Sequence, residues 1–120
     1  MVLKKIITVP DEILRKISEP IEKIGINEKN LIKNLFETMY NANGIGLAAI
    51  QVGIPKRIVV MDVSKKKDSP ICMINPIIKK FSKETSIYEE GCLSIPDTFI
   101  EIQRPKVVNI DYVDEKGDKK

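Results

Sequence analysis

Apolar side chains recur every three to four residues between positions 27 and 40, as on one face of an α-helix. This apolar stripe consists of Leu31, Ile32, Leu35, Phe36, Met39 and Tyr40. Asn27 precedes the stripe and is a residue type that caps helices, whereas Asn41, Asn43 and Gly44 follow it, where a helix would end. The pattern predicts one long amphipathic helix whose stripe packs against the core. A shorter helical segment is expected after Pro10, because proline and acidic residues suit a first helical turn.

Five segments further along the chain have the β-branched or alternating composition of strands. They cover residues 57–63, 71–78, 83–88, 99–102 and 106–113. Pro76 interrupts the second segment, and in the last one Val108, Ile110 and Tyr112 alternate with polar residues, as in a half-buried strand. A turn sequence at 114–118 then predicts a returning strand, but only two residues follow. The unfinished hairpin suggests that the chain is truncated at its C-terminus.

The length of 120 residues is that of one small domain, which we place at 1–120. A composition of 42% hydrophobic and 31% charged residues excludes a disordered chain. The net charge of +3 comes from scattered lysines, and the only tight basic run, 65–67, lies beside Asp68 in a predicted loop. This distribution does not favour a nucleic-acid surface. No segment resembles a membrane span or a signal peptide.

Two residue counts restrict the chemistry of the chain. Cys72 and Cys92 are its only cysteines, so it has no disulfide framework and a reducing cytoplasm is the expected location. The sequence contains no histidine. Any metal ligand or acid–base group that must be an imidazole therefore has to come from outside this chain.

Residues 44–51, GIGLAAIQ, imitate the glycine-rich turn of a dinucleotide-binding protein, and Asp62 follows where a ribose-binding acid would stand. Such a turn must follow a strand and open a helix, whereas here a predicted helix precedes the glycines and a strand follows them. This order of elements excludes the dinucleotide site. Two interpretations remain: a tight helix-to-strand connection, or a loop whose glycines let a ligand approach the backbone while Gln51 offers an amide donor.

Residues 89–96, EEGCLSIP, contain a cysteine directly after a glycine. Cys92 could be a metal thiolate or a nucleophile, although a nucleophile would have no imidazole base in this chain. A buried structural thiol is the more frequent role of an isolated cysteine. That role suits Cys72, which lies within a predicted strand.

Together the two segments resemble motifs one and two of the peptide deformylases, GIGLAAIQ and EGCLS, about forty residues apart. The similarity extends to residues 9–15, 36–40 and 74–76. The resemblance implies an α+β fold with antiparallel strands packed around helices. It also implies a cytoplasmic hydrolase that removes the formyl group from N-formylmethionyl peptides of new bacterial, organellar or phage proteins. The full-length enzymes of such a family can have the ribosome as a partner.

The resemblance also implies roles for individual residues. In the family a divalent metal, Fe²⁺ or in its place Zn²⁺, Ni²⁺ or Co²⁺, is held by the motif-two cysteine, here Cys92, and by two histidines of a helical HExxH motif. Gln51 and the backbone N–H of Leu93 would stabilise the oxyanion together with the metal. The expected substrate-binding residues are Gly44, Ile45, Gly46, Glu90 and Gly91. Phe99 stands where the family often has a basic or polar side chain, which argues against an ionic contact to the substrate there.

The chain departs from the family because it has no HExxH motif, and so lacks two metal ligands and the general base. We therefore expect the isolated chain to bind no catalytic metal tightly and to be inactive. We also expect Leu35, Phe36 and Met39 to be partly uncovered, since the HExxH helix belongs to the core of the family. Three explanations stay open: a fragment of an ordinary enzyme, a non-catalytic module that binds peptides or a partner, and half of a split enzyme.

Overall fold

The computed structural model of the protein describes residues 3–120, which contain one long helix, α1 (Ile26–Asn41), and six strands. The strands are β1 (Gly46–Ala48), β2 (Ile58–Met61), β3 (Ile71–Phe81), β4 (Thr85–Cys92), β5 (Ile95–Pro105) and β6 (Val108–Val113). Two short 3-10 helices span Glu12–Arg15 and Ala49–Val52. Four strands form an antiparallel sheet in the order β1-β2-β3-β6, and β4 and β5 form a separate hairpin. This arrangement confirms the expected α+β fold of antiparallel strands packed with helices.

The start of α1 differs from the prediction, whereas its end at Asn41 agrees with it. The helix begins at Ile26, and Gly25 is its N-cap. The N–H of Gly25 donates to Glu28 Oε1 at 2.8 Å, so a carboxylate in the first turn satisfies the donor of the capping residue. Asn27 lies inside the first turn, and the prediction that it caps the helix is therefore wrong.

The apolar stripe of α1 packs against the first strands of the four-stranded sheet. Leu35 and Met39 are fully buried in one cluster with Leu47 of β1 and Val60 of β2. The expectation that Leu35 and Met39 would be partly uncovered is wrong, because β1 and β2 cover this face of the helix. Of the three residues in that expectation, only Phe36 is half-buried.

The strands agree with the predicted segments, with differences in length. β3 continues past Pro76, because a register shift between Ile74 and Ile77 opens a bulge at the residue that has no N–H to donate. β5 is far longer than predicted, because most of its side chains are exposed and their pattern marks a strand only weakly. After β6 the chain turns back as predicted, and Lys119 pairs with Val113.

The β4–β5 hairpin carries several exposed apolar side chains. Ile87, Tyr88, Phe99 and Ile100 are each more than half exposed. By contrast, Ser94 at the hairpin's turn is buried. The hairpin therefore meets the rest of the structure at its turn, next to the glycine segment that follows α1. None of the helices in residues 3–120 is long and apolar enough to cross a membrane.

Candidate functional site

An open cleft of about 650 Å³ lies between the glycine segment after α1 and the turn of the β4–β5 hairpin. Six of the predicted site residues line it: Ile45, Gly46, Gln51, Gly91, Cys92 and Leu93. Gly44 and Glu90 do not belong to this lining. The fold thus brings the two motifs, which are far apart in sequence, to the two walls of one cleft.

The side-chain amide of Gln51 has a defined orientation. Gln51 lies in the 3-10 helix Ala49–Val52, and its Oε1 accepts the N–H of Ala48 at 2.9 Å. The Nε2 end consequently faces the hairpin, where it donates to Ser94 Oγ at 3.1 Å and to Cys92 Sγ at 3.5 Å. An amide donor and a thiol sulfur therefore stand side by side in the cleft.

Cys92 ends strand β4, and its thiol is exposed. A register shift between Gly91 and Cys92 turns the strand at this point, so that Cys92 pairs with Ile95. Cys72 has the opposite environment, since it is 2% exposed, and burial raises the pKa of its thiol to about 12. Cys72 is therefore the buried structural thiol that was predicted, and Cys92 is the accessible one.

Leu93 follows Cys92 in the hairpin turn and packs against the hydrophobic core. Within residues 3–120, the backbone N–H of Leu93 donates no hydrogen bond to the carbonyl groups of turns and loops. Gly44 does not line the cleft, but a Cβ on it would lie 2.7 Å from Leu93 Cδ1. The absence of a side chain at Gly44 therefore lets the second motif pack directly on the first.

Glu90 and Gly91 occupy opposite faces of the hairpin. The Glu90 carboxylate accepts from Arg104 Nε through Oε1 at 3.0 Å and Oε2 at 2.7 Å, and this interaction lowers the pKa of Glu90. Gly91 faces the cleft and pairs with Phe99, whose ring is 67% exposed. Glu90 thus connects β4, the strand that carries Cys92, to Arg104 of β5, while Phe99 forms part of the cleft wall.

We expect Gly91→Ala to destabilise the chain by about 1 kcal/mol, because the new Cβ would lie 2.7 Å from the Phe99 ring and displace it. The cost is at the low end for overpacking, since the ring is exposed and can move. Urea unfolding of Gly91→Ala, Phe99→Ala and the double variant measures the coupling. If the effects of the two substitutions are additive, the cost of Gly91→Ala does not come from contact between the new methyl group and the Phe99 ring.

Asp62, the acid that follows motif one, does not line the cleft but is hydrogen-bonded to the backbone of its wall. It is 3% exposed and accepts hydrogen bonds from Tyr40 Oη at 2.7 Å and from Ser64 and Ser69. Bonds from Ser64 and Tyr40 lower the pKa of Asp62 to about 2, and burial together with Asp62 raises the pKa of Tyr40 to about 12. The N–H of Asp62 donates to Ile45 O at 2.9 Å, so this network fixes the backbone of the cleft wall.

Sequence reasoning missed the contributions of Ser94 and Asp62 to this site. Ser94 stands within the EGCLS segment, but its spacing carried no sign that its hydroxyl would meet Gln51. Asp62 attracted attention only as a possible ribose ligand, and the structure gives it a supporting role instead. The signal available in the sequence was an acidic residue within the predicted buried strand at 57–63.

The donor set can be compared with the divalent metal that the resemblance implies. Cys92 offers one accessible sulfur ligand, but residues 3–120 contain no group of three histidine, cysteine or carboxylate side chains arranged to hold a metal ion. Protein sites for such metals use three or four ligands. The described residues therefore do not fit the metal by themselves.

Comparisons with known proteins agree with the geometry. Residues 3–120 match the family model described as polypeptide deformylase. The peptide deformylase of Pelagibacter ubique is 50% identical over 121 residues, which cover 99% of this chain and 70% of the relative. The peptide deformylase of Rhizobium meliloti is 48% identical over 119 residues, which cover 98% of this chain and 68% of the relative.

Solved structures match the whole described fold. The crystal structure of peptide deformylase from Ehrlichia chaffeensis in complex with actinonin gives a TM-score of 0.95 at 41% identity, covering 99% of this chain and 73% of that one. The enzyme from Thermotoga maritima gives 0.93 at 41% identity, covering 99% and 79%. The family match and these identities confirm the resemblance seen in the two motifs, and the chain belongs to the polypeptide deformylase family.

Proposed function

We propose that this chain, as a single domain over residues 1–120, provides the formyl-peptide cleft of a hydrolase that removes the formyl group from N-formylmethionyl peptides. The observation that carries the proposal is that Gln51, Cys92 and Leu93 line one open cleft, with the Gln51 amide directed at the Cys92 sulfur. Family membership supports the same activity.

The cleft wall offers a way to hold an extended peptide. β1 is an edge strand of the four-stranded sheet, since it pairs only with β2 among the described strands. The backbone of Gly46 at this edge is therefore available for pairing with a substrate strand, whereas the carbonyl of Ile45 already accepts the Asp62 N–H at the end of β2. Such pairing would hold the peptide by its main chain and leave the formyl end directed towards Gln51 and Cys92.

The reaction adds water to the formyl carbon, breaks its bond to the methionine nitrogen, and yields formate and a free amino terminus. Negative charge develops on the formyl oxygen as water adds. Gln51 Nε2 carries two protons, of which one is donated to Ser94 Oγ at 3.1 Å and the other is directed at Cys92 Sγ at 3.5 Å. This second proton and the Leu93 N–H are the donors that would stabilise the oxyanion.

Peptide deformylases are metal-dependent, and the metal in question is Fe²⁺ or a Zn²⁺, Ni²⁺ or Co²⁺ substitute. In this chain Cys92 would contribute one ligand, and further ligands and the general base would have to come from outside these residues. We therefore propose that the 120-residue chain alone holds no catalytic metal and is inactive. The free, exposed thiol of Cys92 supports a reducing cytoplasm as its location. A substrate of formylated nascent chains would make the ribosome a possible partner of the complete enzyme.

The test joins this chain to the part of the Pelagibacter ubique relative that follows the matched region. Formate release from formyl-Met-Ala-Ser is measured for the chain alone and for this joined protein, each supplied with Fe²⁺ or Co²⁺ without oxygen. We expect activity only in the joined protein, with about one metal ion per molecule. Cys92→Ala should remove the metal from the joined protein, and Cys72→Ala should retain it.

The possible outcomes separate the alternatives. A folded, metal-loaded joined protein without formate release would overturn the proposal and favour a non-catalytic module that binds peptides or a partner. Activity on mixing the chain with the separate added segment would favour a split enzyme. Formate release by the chain alone would refute the proposed inactivity.

A further inference from the structure

The N-terminal segment connects the two walls of the cleft through its main chain. The N–H of Ile7 donates to Gln51 O at 2.7 Å, and two residues later the N–H of Val9 donates to Ser94 O at 2.9 Å. Gln51 and Ser94 are 43 residues apart in sequence. Residues 7–9 therefore form a strap that fixes the backbones of both residues relative to each other.

The side chains of these two residues are also bonded to each other. Ser94 is only 4% exposed, and its Oγ accepts from Gln51 Nε2 at 3.1 Å. The opposite end of the amide accepts the N–H of Ala48. If the amide turned by half a rotation, its NH₂ group would face the Ala48 donor, and two donors would oppose each other. The amide therefore has one satisfied orientation, with its second proton towards Cys92.

We infer that Ser94 is a positioning residue for the Gln51 amide and that the strap formed by residues 7–9 holds the two in register. The inference rests on the proposed function, because it assumes that Gln51 is the donor to the formyl oxygen. Ser94 touches neither substrate nor metal in this role. Its hydroxyl oxygen accepts a hydrogen bond from one of the two Nε2 protons. This bond orients the amide so that the other Nε2 proton points into the cleft before any peptide binds.

The direct test is the behaviour of the Gln51 side-chain amide in the ¹⁵N-labelled chain, observed by NMR. Ser94→Ala removes the acceptor, and we expect the Nε2 protons to exchange with water about fivefold faster, as for the loss of one ordinary hydrogen bond. Ser82→Ala is the matched control, since Ser82 Oγ is likewise hydrogen-bonded, to Glu84 O and the Val107 N–H, but lies in the β3–β4 turn, away from the cleft. Ser94→Thr, which keeps a hydroxyl, should restore slow exchange.

In the joined protein, Ser94→Ala should lower kcat with little change in KM, whereas Ser82→Ala should change neither. Equal Gln51 exchange rates in Ser94→Ala and the parent chain would overturn the inference, whatever the activity. Absence of formate release from the parent joined protein would instead overturn the proposed function, while the NMR comparison would still decide whether Ser94 orients Gln51. If Ser94→Ala proves unfolded, the same exchange measurement on Ser94→Gly and Ser94→Thr decides the question.

Discussion

In the joined protein, Gln51→Ala is expected to lower kcat by a factor of about 10²–10³, the usual effect of removing one preorganised donor to an oxyanion. The reason lies in the fixed orientation of the amide, whose Oε1 is held by Ala48 and whose Nε2 faces Cys92 and Ser94. A donor that is already aligned gains strength as charge develops on the formyl oxygen. KM should change little, because the neutral formyl group needs this donor less than the transition state does.

The control for this variant is Gln103→Ala on the hairpin. Gln103 Nε2 donates to Thr85 Oγ1 at 2.6 Å on an exposed surface, so its loss removes an amide and a hydrogen bond without reaching the cleft. Steady-state formate release should be unchanged in Gln103→Ala. A Gln51→Ala variant that keeps more than about a tenth of the parent kcat would show that Gln51 is not a principal oxyanion donor.

The parts of this molecule that the sequence revealed are those with a local pattern. The apolar stripe of α1 was predicted from the helical spacing of its residues. The residues of the site were predicted from the two motifs, because their residue types are specific. The start of α1 was missed because Gly25 has no side chain to signal a cap, and its N–H is satisfied by Glu28 from within the helix. The general preference for asparagine at the N-cap is weaker than this specific contact, so Asn27 was wrongly predicted to cap the helix.

The contacts that connect distant segments could not be read from local patterns. The strap at residues 7–9 acts through backbone N–H groups, which every residue except proline carries, so no residue type marks it. The hydrogen bond of Ser94 to Gln51 depends on how the hairpin turn docks against the 3-10 helix. The burial of the α1 stripe could not be predicted because it depends on which element packs on it, and in the structure that element is the four-stranded sheet.

Leu35→Ala is expected to lower the free energy of unfolding of the 120-residue chain by about 3–5 kcal/mol. Leu35 is 0% exposed and lies in the centre of the cluster between α1 and the sheet, so truncation leaves a cavity among side chains such as Met39 and Val60. Ile17→Ala is the control, because Ile17 is 93% exposed and its loss should change the stability by no more than about 0.5 kcal/mol.

Urea unfolding followed by circular dichroism measures both variants, and the comparison also decides how the stripe is covered. A large cost for Leu35→Ala means that residues 3–120 bury this helix face by themselves. A cost below about 1 kcal/mol would mean that the stripe is solvated in the isolated chain, as expected for a helix face that lacks its cover. The change in unfolding free energy caused by Leu35→Ala thus shows whether these residues complete the core by themselves or need a further element.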